Sequence, residues 1–316
     1  MFRHLIKKFL RLLSVLVAVT ALTFLMMDVL PGDVAYEIAG ADATVEGVKA
    51  LREALGLDRH IFIRYGDWLA GVVQGDFGRS LLTHEPVANA IFACLPVTLE
   101  LMMISQILAL VLAIPIGIIS AYRSRSGLDR AFSATAFAFM SAPVFVMAMV
   151  LIYIFALKLR WLPATGFAPL SEGLLANIRS LMLPAASLAL LEWAPLMRVL
   201  RSDMIATLQE TFILSAKAKG LSARKILFDH ALKPSSFTLI TILGIHIGHL
   251  VGGAVIVESI FALPGIGRLL VGAIYSRDLN MVQGCILLIT LGYVVVNFLV
   301  DALYSFLDPR VRAQAD

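Results

Sequence analysis

The sequence predicts an all-α polytopic membrane protein with six transmembrane helices and both termini in the cytoplasm. Three observations predict this. First, the 316 residues are 59% hydrophobic and only 15% charged, with a mean hydropathy of +0.88. A soluble domain carries about 25% charged residues, so this chain has too little charge to cover a water-facing surface. Second, six stretches, five of them without Asp, Glu, Lys or Arg and the other broken only by Glu192, approach or reach the length that crosses a bilayer, about 20 residues of helix. Third, Lys and Arg are unevenly distributed between alternate connections. The same composition argues against a disordered chain, a disulfide scaffold or a nucleic-acid binder. The pI of 9.1 is what basic inner loops give a membrane protein. Cys94 and Cys285 match no metal spacing, and a structural disulfide is not expected.

The first span is Leu12–Met27, 16 residues. Phe9, Leu10, Val29 and Leu30 extend it past Arg11 and Asp28, which can snorkel at its ends. Arg3, Lys7, Lys8 and Arg11 would also suit a cleaved signal peptide. The apolar run ends in Met-Met-Asp-Val-Leu-Pro without a small-residue cleavage site, so a retained anchor is expected. The remaining spans are Leu101–Tyr122, Ala131–Leu157, Ser180–Met197 (interrupted by Glu192), Pro234–Val257 and Leu279–Val300. With the N-terminus inside, the cytoplasmic pieces hold 16 Lys and Arg and the two short outer loops hold five. The chain then divides into an N-tail and first helix (1–30), an outer helical segment (31–95), a transmembrane core (96–308) with an inner loop at 202–233, and a C-tail (309–316).

The outer segment is too polar for lipid. Thr44 can cap a helix carrying Val45, Val48, Leu51 and Leu55 at helical spacing, and Gly56 suits its stop. A second amphipathic stretch puts Ile61, Tyr65, Trp68 and Leu69 on one face. These helices either pack on the ends of the spans or form a docking surface for another protein. The inner loop reads as a helix from Asp203 to Ala218, a break at Gly220, and a new helix capped by Ser222. Ser215, Ala216 and Ala218 permit close approach by another backbone, and Lys217, Lys219, Arg224, Lys225 and Lys233 make the segment basic. An ordinary basic loop fits this pattern as well.

Small residues recur every four positions as Ala109, Ala113, Gly117 and Ala121; as Ala134, Ala138 and Ala142; and as Gly244, Gly248 and Gly252. Helix packing is expected for all three stripes. Pro115, Pro143 and Pro195 are candidate kinks. His246 and His249 share one helix face. With Glu192 they are either hydrogen-bonded structural groups or the lining of a pathway; two ligands alone make a poor metal site. Glu100, Glu258 and Asp301 fall near predicted span ends and read as anchors that water can reach.

At the inner loop the sequence meets a family. The run Ser215-Ala216-Lys217-Ala218-Lys219-Gly220-Leu221-Ser222-Ala223-Arg224-Lys225, continuing to His230-Ala-Leu-Lys-Pro234, resembles the coupling loop of ABC importer permeases, and among them those of the bacterial dipeptide, oligopeptide and nickel importers. Pro31-Gly-Asp33, Leu55-Gly-Leu-Asp58, Gly75-Asp-Phe-Gly-Arg-Ser80, Leu95-Pro-Val-Thr-Leu-Glu100, Leu162-Pro-Ala-Thr-Gly166, Glu258-Ser-Ile-Phe261, Leu263-Pro-Gly-Ile-Gly-Arg268, Arg277-Asp278 and Asp308-Pro-Arg310 carry the resemblance over nearly the whole chain. The wider pattern places a Glu three residues before its final spacer, at position 214, where this chain has Leu214; its later proline falls one position before Pro234.

The resemblance implies a type I importer permease in a bacterial inner membrane, forming half of a pathway for di- or oligopeptides by alternating access. Nickel or glutathione-like compounds are alternative cargo within the family. The implied partners are a second homologous permease, two cytoplasmic ABC ATPases and an outer substrate-binding protein. Residues 215–223 are then the ATPase-coupling loop. No G-x-x-x-x-G-K-[ST] loop is present, so ATP and Mg are expected on partner subunits, with no cofactor on this chain. A stand-alone secondary transporter or channel would leave the basic inner loop and the acidic outer segment without a task. An enzyme reading finds no metal cluster or nucleophile motif.

Overall fold

The computed structural model describes residues 2–29, 34–39 and 43–307. Pro31-Gly-Asp33, Asp308-Pro-Arg310 and the C-tail 309–316 lie outside the described residues, as does the Asp301 side chain. Twelve longer helical runs and one 3-10 turn (Leu170–Glu172) follow one another among the described residues: α1 (Phe2–Val29), α2 (Val34–Ala39), α3 (Val45–Ala54), α4 (Ile61–Val73), α5 (Val87–Tyr122), α6 (Gly127–Ser141), α7 (Val144–Lys158), α8 (Leu174–Thr207), α9 (Thr211–Ala218), α10 (Ala223–Ile260), α11 (Ile266–Tyr275) and α12 (Leu279–Leu307). A π-helical turn ends α7 at Ile152–Lys158, and another lies within α10 at Ile226–Ala231.

Five of these are long and apolar enough to cross a membrane, and α6 with α7 makes a sixth if the bent pair is one span. The third span is therefore not the continuous helix expected over Ala131–Leu157: α6 and α7 meet at 104°. Pro143 supplies the cause. It stands in extended backbone at φ −63°, ψ 145°, and proline pushes its predecessor, Ala142 at ψ 132°, out of the helical region. By contrast α5 runs through Pro115, and α8 through Pro184 and Pro195, without a break.

The contacts divide the chain into two units, Met1–Thr98 with Pro264–Val294, and Leu99–Leu263 with Val295–Asp316. In the first unit, α4 lies against α1. The Tyr65 hydroxyl donates to the Val17 carbonyl at 3.1 Å and sits 2.9 Å from Thr20 Oγ1, while its ring meets Phe24 edge-on at 5.6 Å. Arg64 reaches Asp28 at 2.9 Å. The α4 contacts thus run along α1 from Val17 to Asp28, reaching the middle of that span and not its end alone. Thr44 caps α3 by accepting from Gly47 N at 3.2 Å, and Gly56 stops it at φ +65°. Asp278 caps α12, accepting from Met281 N at 3.3 Å, and the same buried carboxylate takes the Ser80 hydroxyl and Leu81 N. Ile266 N donates to Thr98 Oγ1 at 2.9 Å. Motif pieces nearly two hundred residues apart, Gly75–Ser80 and Arg277–Asp278, converge here for a packing reason. Cys94 and Cys285 form no disulfide.

The second unit is built around α8, which buries Leu181, Leu188, Trp193, Leu196, Met197, Leu200 and Met204 at 3% exposure or less. A helix apolar on every face belongs inside other helices. Of the three small-residue stripes, one packs as expected: Ala109, Ala113, Gly117 and Ala121 are buried, and a Cβ on Gly117 would meet Leu200 at 3.2 Å. Ala134 and Ala138 are exposed. On α10, Gly244 is buried, but Gly252 is exposed with nothing within 4 Å; the close approach is at Gly253, off the stripe, where a Cβ would lie 2.9 Å from Leu188. Glu258 is fully buried, not a water-reachable anchor, because α10 continues past the end set by the charge count. Glu100 accepts from Asn177 at 2.9 Å.

A close glycine contact is at Gly284 in α12, where a Cβ would fall inside the van der Waals envelope of buried Val87 and Ile91. Val87 is β-branched and cannot move its methyl cheaply. Gly284→Ala is therefore expected to cost about 1–3 kcal/mol through overpacking, although alanine is the better helix former. Gly252→Ala, facing open space, is expected to be neutral or to gain up to about 1 kcal/mol. Thermal unfolding of the purified protein separates the two; equal midpoints would contradict the packing argument.

Candidate functional site

The loop beyond α8 is built from local rules. The helix does not stop at Met197, as charge-free counting suggests, but carries Arg198, Arg201 and Asp203 on to Thr207. A break at 208–210 follows, so the expected helix from Asp203 to Ala218 is two helices. The short helix α9 then turns its Ile213 and Ala216 inward, at 0% and 7% exposure. Its end is a Schellman turn: Leu221 N donates to Ala216 O at 3.3 Å and Gly220 N to Lys217 O at 2.9 Å, with Gly220 at φ +76°. Glycine is the residue that takes this left-handed position without steric cost. Leu221 folds back onto the core cluster containing Ile213 and Ala216. Ser222 then caps α10, accepting from Lys225 N at 3.4 Å. Gly220 and Ser222 do locally what the sequence predicts of them.

This anchoring leaves one face free. Ser215, Lys217, Ala218, Lys219, Gly220, Ser222 and Ala223 are exposed, together with Phe212 and Leu214 at 47% and 55%. No atom lies within 4 Å of a Cβ placed on Gly220. A cavity of about 650 Å³ opens beside the turn, with Arg125, Gln209, Lys217 and Leu221 in its wall. The result is a short, stiff, small-residue protrusion with basic side chains, held from below by buried apolar groups.

Nearby, α5, α6 and α8 meet at an ion pair that nothing in the sequence singles out. Asp129, 3% exposed, sits in the first turn of α6, where the N-terminal partial charge favours a carboxylate. Arg201 of α8 donates to it from Nε at 2.6 Å and Nη2 at 2.7 Å; the Ser120 hydroxyl of α5 donates at 2.5 Å and Arg125 N at 2.8 Å. Three helix ends are tied at one carboxylate. Thr207 and Ser235 hydroxyls, 3.1 Å apart, join α8 to α10.

Deeper in the second unit, Glu192 and His246 are brought together, with His246 Nδ1 2.5 Å from Glu192 Oε2. Glu192 is buried. His249 lies beside them, its ring 5.7 Å from that of His246, and is exposed. Among the described residues no group of three His, Cys, Asp or Glu is placed to hold a metal ion.

Two family models match the chain. One is described as the inner membrane component of binding-protein-dependent transport systems and covers residues 113–313; the other, the N-terminal part of such membrane components, covers residues 1–102. A protein of Brucella abortus (strain 2308), whose name assigns it to a peptide transport system as permease protein, is 39% identical over 97% of this chain and 98% of its own length. The dipeptide transport system permease protein DppB of Alkalihalophilus pseudofirmus is 32% identical, covering 99% of this chain and 100% of its own. The glutathione transport system permease protein GsiC of Escherichia coli (strain K12) is 33% identical, with 99% of each chain covered. Among solved structures, the inward-facing MetNI methionine ABC transporter aligns with a TM-score of 0.57 at 19% identity, over 71% of this chain and 99% of that one. The last likeness bears on the fold alone.

Proposed function

Because this chain belongs to the family of inner-membrane components of binding-protein-dependent transport systems, a family of multi-pass ABC importer permeases, we propose that it is the peptide permease subunit of such an importer and forms half of its translocation pathway. The observation that carries the peptide reading is kinship over nearly the whole chain with permeases named for peptide, dipeptide and glutathione transport. The family works with ATPase subunits and a substrate-binding protein. The finer assembly we infer is a second homologous permease and two ATPases, with all ATP and Mg chemistry on those partners.

Within this reading residues 215–223 seat the ATPase on the cytoplasmic side. What supports it is the stiffness of the Schellman turn and the exposed small and basic face above it. A chain without a nucleotide site can respond to ATP only through a contact whose free energy differs between the partner's states. His249, with His246 and Glu192 behind it, lines the pathway. An exposed imidazole near the middle of a membrane helix is costly against lipid and needs water or protein beside it.

The test is to co-express the chain with its companion subunits. A permease co-purifies with ATPase subunits and takes up labelled dipeptide only with ATP and binding protein; ATP-independent uptake by the chain alone would support the stand-alone transporter instead. In intact cells, with Cys94 and Cys285 replaced by alanine, single cysteines at 170 and 272 are expected to react with an impermeant reagent and those at 127 and 222 to be protected. Labelling at 222 would overturn the orientation. A cysteine at 249 is expected to react with a small hydrophilic reagent in the purified complex, and its silence would remove His249 from the pathway.

A further inference from the structure

Two cavities of the second unit adjoin at the start of α10 and share Phe228. One, of about 550 Å³, is an apolar cleft along α5, walled by Ile114, Pro115, Ile118 and Ile119 and by Leu227, with Tyr122 and Arg123 at its end. From Ile114 to Arg123 is nine residues of helix, about 13 Å along the axis, so the cleft runs from the rim of the span well into its apolar part. The other, of about 390 Å³, is polar, walled by Ser222, Arg224, Lys225 and Asp229. Arg123, Arg224 and Lys225 are exposed, and none has an ion-pair or hydrogen-bond partner for its side chain among the described residues. Three cations against one acid leave this rim positive, directly beside a cleft whose exposed residues Ile119, Tyr122 and Phe228 are apolar.

We propose that this amphipathic pair of cavities is a binding site for one anionic phospholipid, an acyl chain lying along Ile114–Ile119 and the phosphate meeting Arg123, Arg224 and Lys225. Each half of the site asks for a different end of the same molecule. A soluble anion would use the rim and leave the cleft empty. A zwitterionic lipid would fill the cleft but bring no net charge to a positive rim. Basic pockets at the membrane edge of helices attract anionic headgroups for this reason. The site also has a consequence for the coupling reading, on which its existence does not depend. Leu227 and Phe228 lie in the π-helical turn that follows the Ser222 cap, so a lipid wedged there would brace the helix emerging from the loop.

The experiment reads lipid retention, not transport, and so stands or falls apart from the peptide assignment. The transporter complex is purified in mild detergent, exchanged into nanodiscs containing phosphatidylglycerol and phosphatidylcholine of matched chains, re-extracted, and its retained lipid measured by native mass spectrometry. Retention of phosphatidylglycerol is expected to exceed that of phosphatidylcholine by about tenfold, the scale of one to two surplus cations at an anionic surface. The triple substitution Arg123→Gln, Arg224→Gln, Lys225→Gln is expected to abolish the preference. Ile119→Trp, which fills the cleft without touching charge, is expected to abolish retention. Equal retention of both lipids overturns the proposal. So does an unchanged result for Ile119→Trp, which would mean that the headgroup alone is held at the rim and the cleft takes no acyl chain. Loss of ATPase subunits from the triple variant with lipid retention unchanged would make the patch a protein contact and overturn it equally.

Discussion

Arg201→Ala is expected to destabilise the protein by about 1–3 kcal/mol, the cost of leaving a carboxylate short of its donors at a site that opens to water on the guanidinium side. Asp129 is 3% exposed and accepts from Ser120, Arg125 N and both guanidinium nitrogens of Arg201. Removing Arg201 takes away two charge-assisted bonds and the countercharge, while Ser120 and Arg125 N remain to hold the charge. Arg201→Lys is expected to fall between, since lysine keeps the charge but lacks the planar fork that spans both oxygens. Replacing both partners, Arg201→Met with Asp129→Leu, should recover part of the loss, because no buried charge is left over. Thermal unfolding of the purified complex reads the series. If Arg201→Ala lies within 1 kcal/mol of wild type, the pair is not the footing of the three helix ends.

What the sequence made legible was local. The Gly220 turn, the Ser222 cap and the Thr44 cap each depend on residues within five positions of one another, and their chemistry is readable from neighbours alone. The spans were legible because each is a run of apolar residues longer than a globular helix needs. The Arg201–Asp129 pair was not, because its partners stand 72 residues apart and each looks like a routine loop charge. Counting charge-free residues also ended α8 and α10 too early: Arg198 and Glu258 are charged groups inside continuing helices, the first exposed and the second fully buried. The glycine stripe is buried at Gly244 but not at Gly252, for a geometric reason. Spacing by four identifies a face but not what lies against it, and Gly253 rather than Gly252 meets Leu188. Glu192 and His246 were singled out as ionisable groups within spans, yet only the fold brings them to 2.5 Å.

Gly220→Trp is expected to abolish peptide uptake while the chain still inserts and folds. The site is exposed, with no atom within 4 Å of a Cβ, so the first carbon of a side chain meets nothing in this chain. Backbone strain is the second effect: φ +76° costs a non-glycine residue about 1–2 kcal/mol. Gly220→Ala separates the two, since it carries the strain without the bulk. Alanine is therefore expected to lower stability by that amount and keep most transport. Tryptophan adds an indole where the ATPase is proposed to seat, and should either release the ATPase subunits or leave hydrolysis running without uptake. Lys217→Ala is expected to act mildly, because an exposed ion pair with a partner is worth about 0–1 kcal/mol. Subunit stoichiometry, ATPase stimulation by the loaded binding protein and dipeptide uptake are measured on the same preparations. Should alanine and tryptophan abolish uptake alike, strain in the turn is the whole cause. Should Gly220→Trp retain full association and coupled uptake, the ATPase contact lies elsewhere on the chain.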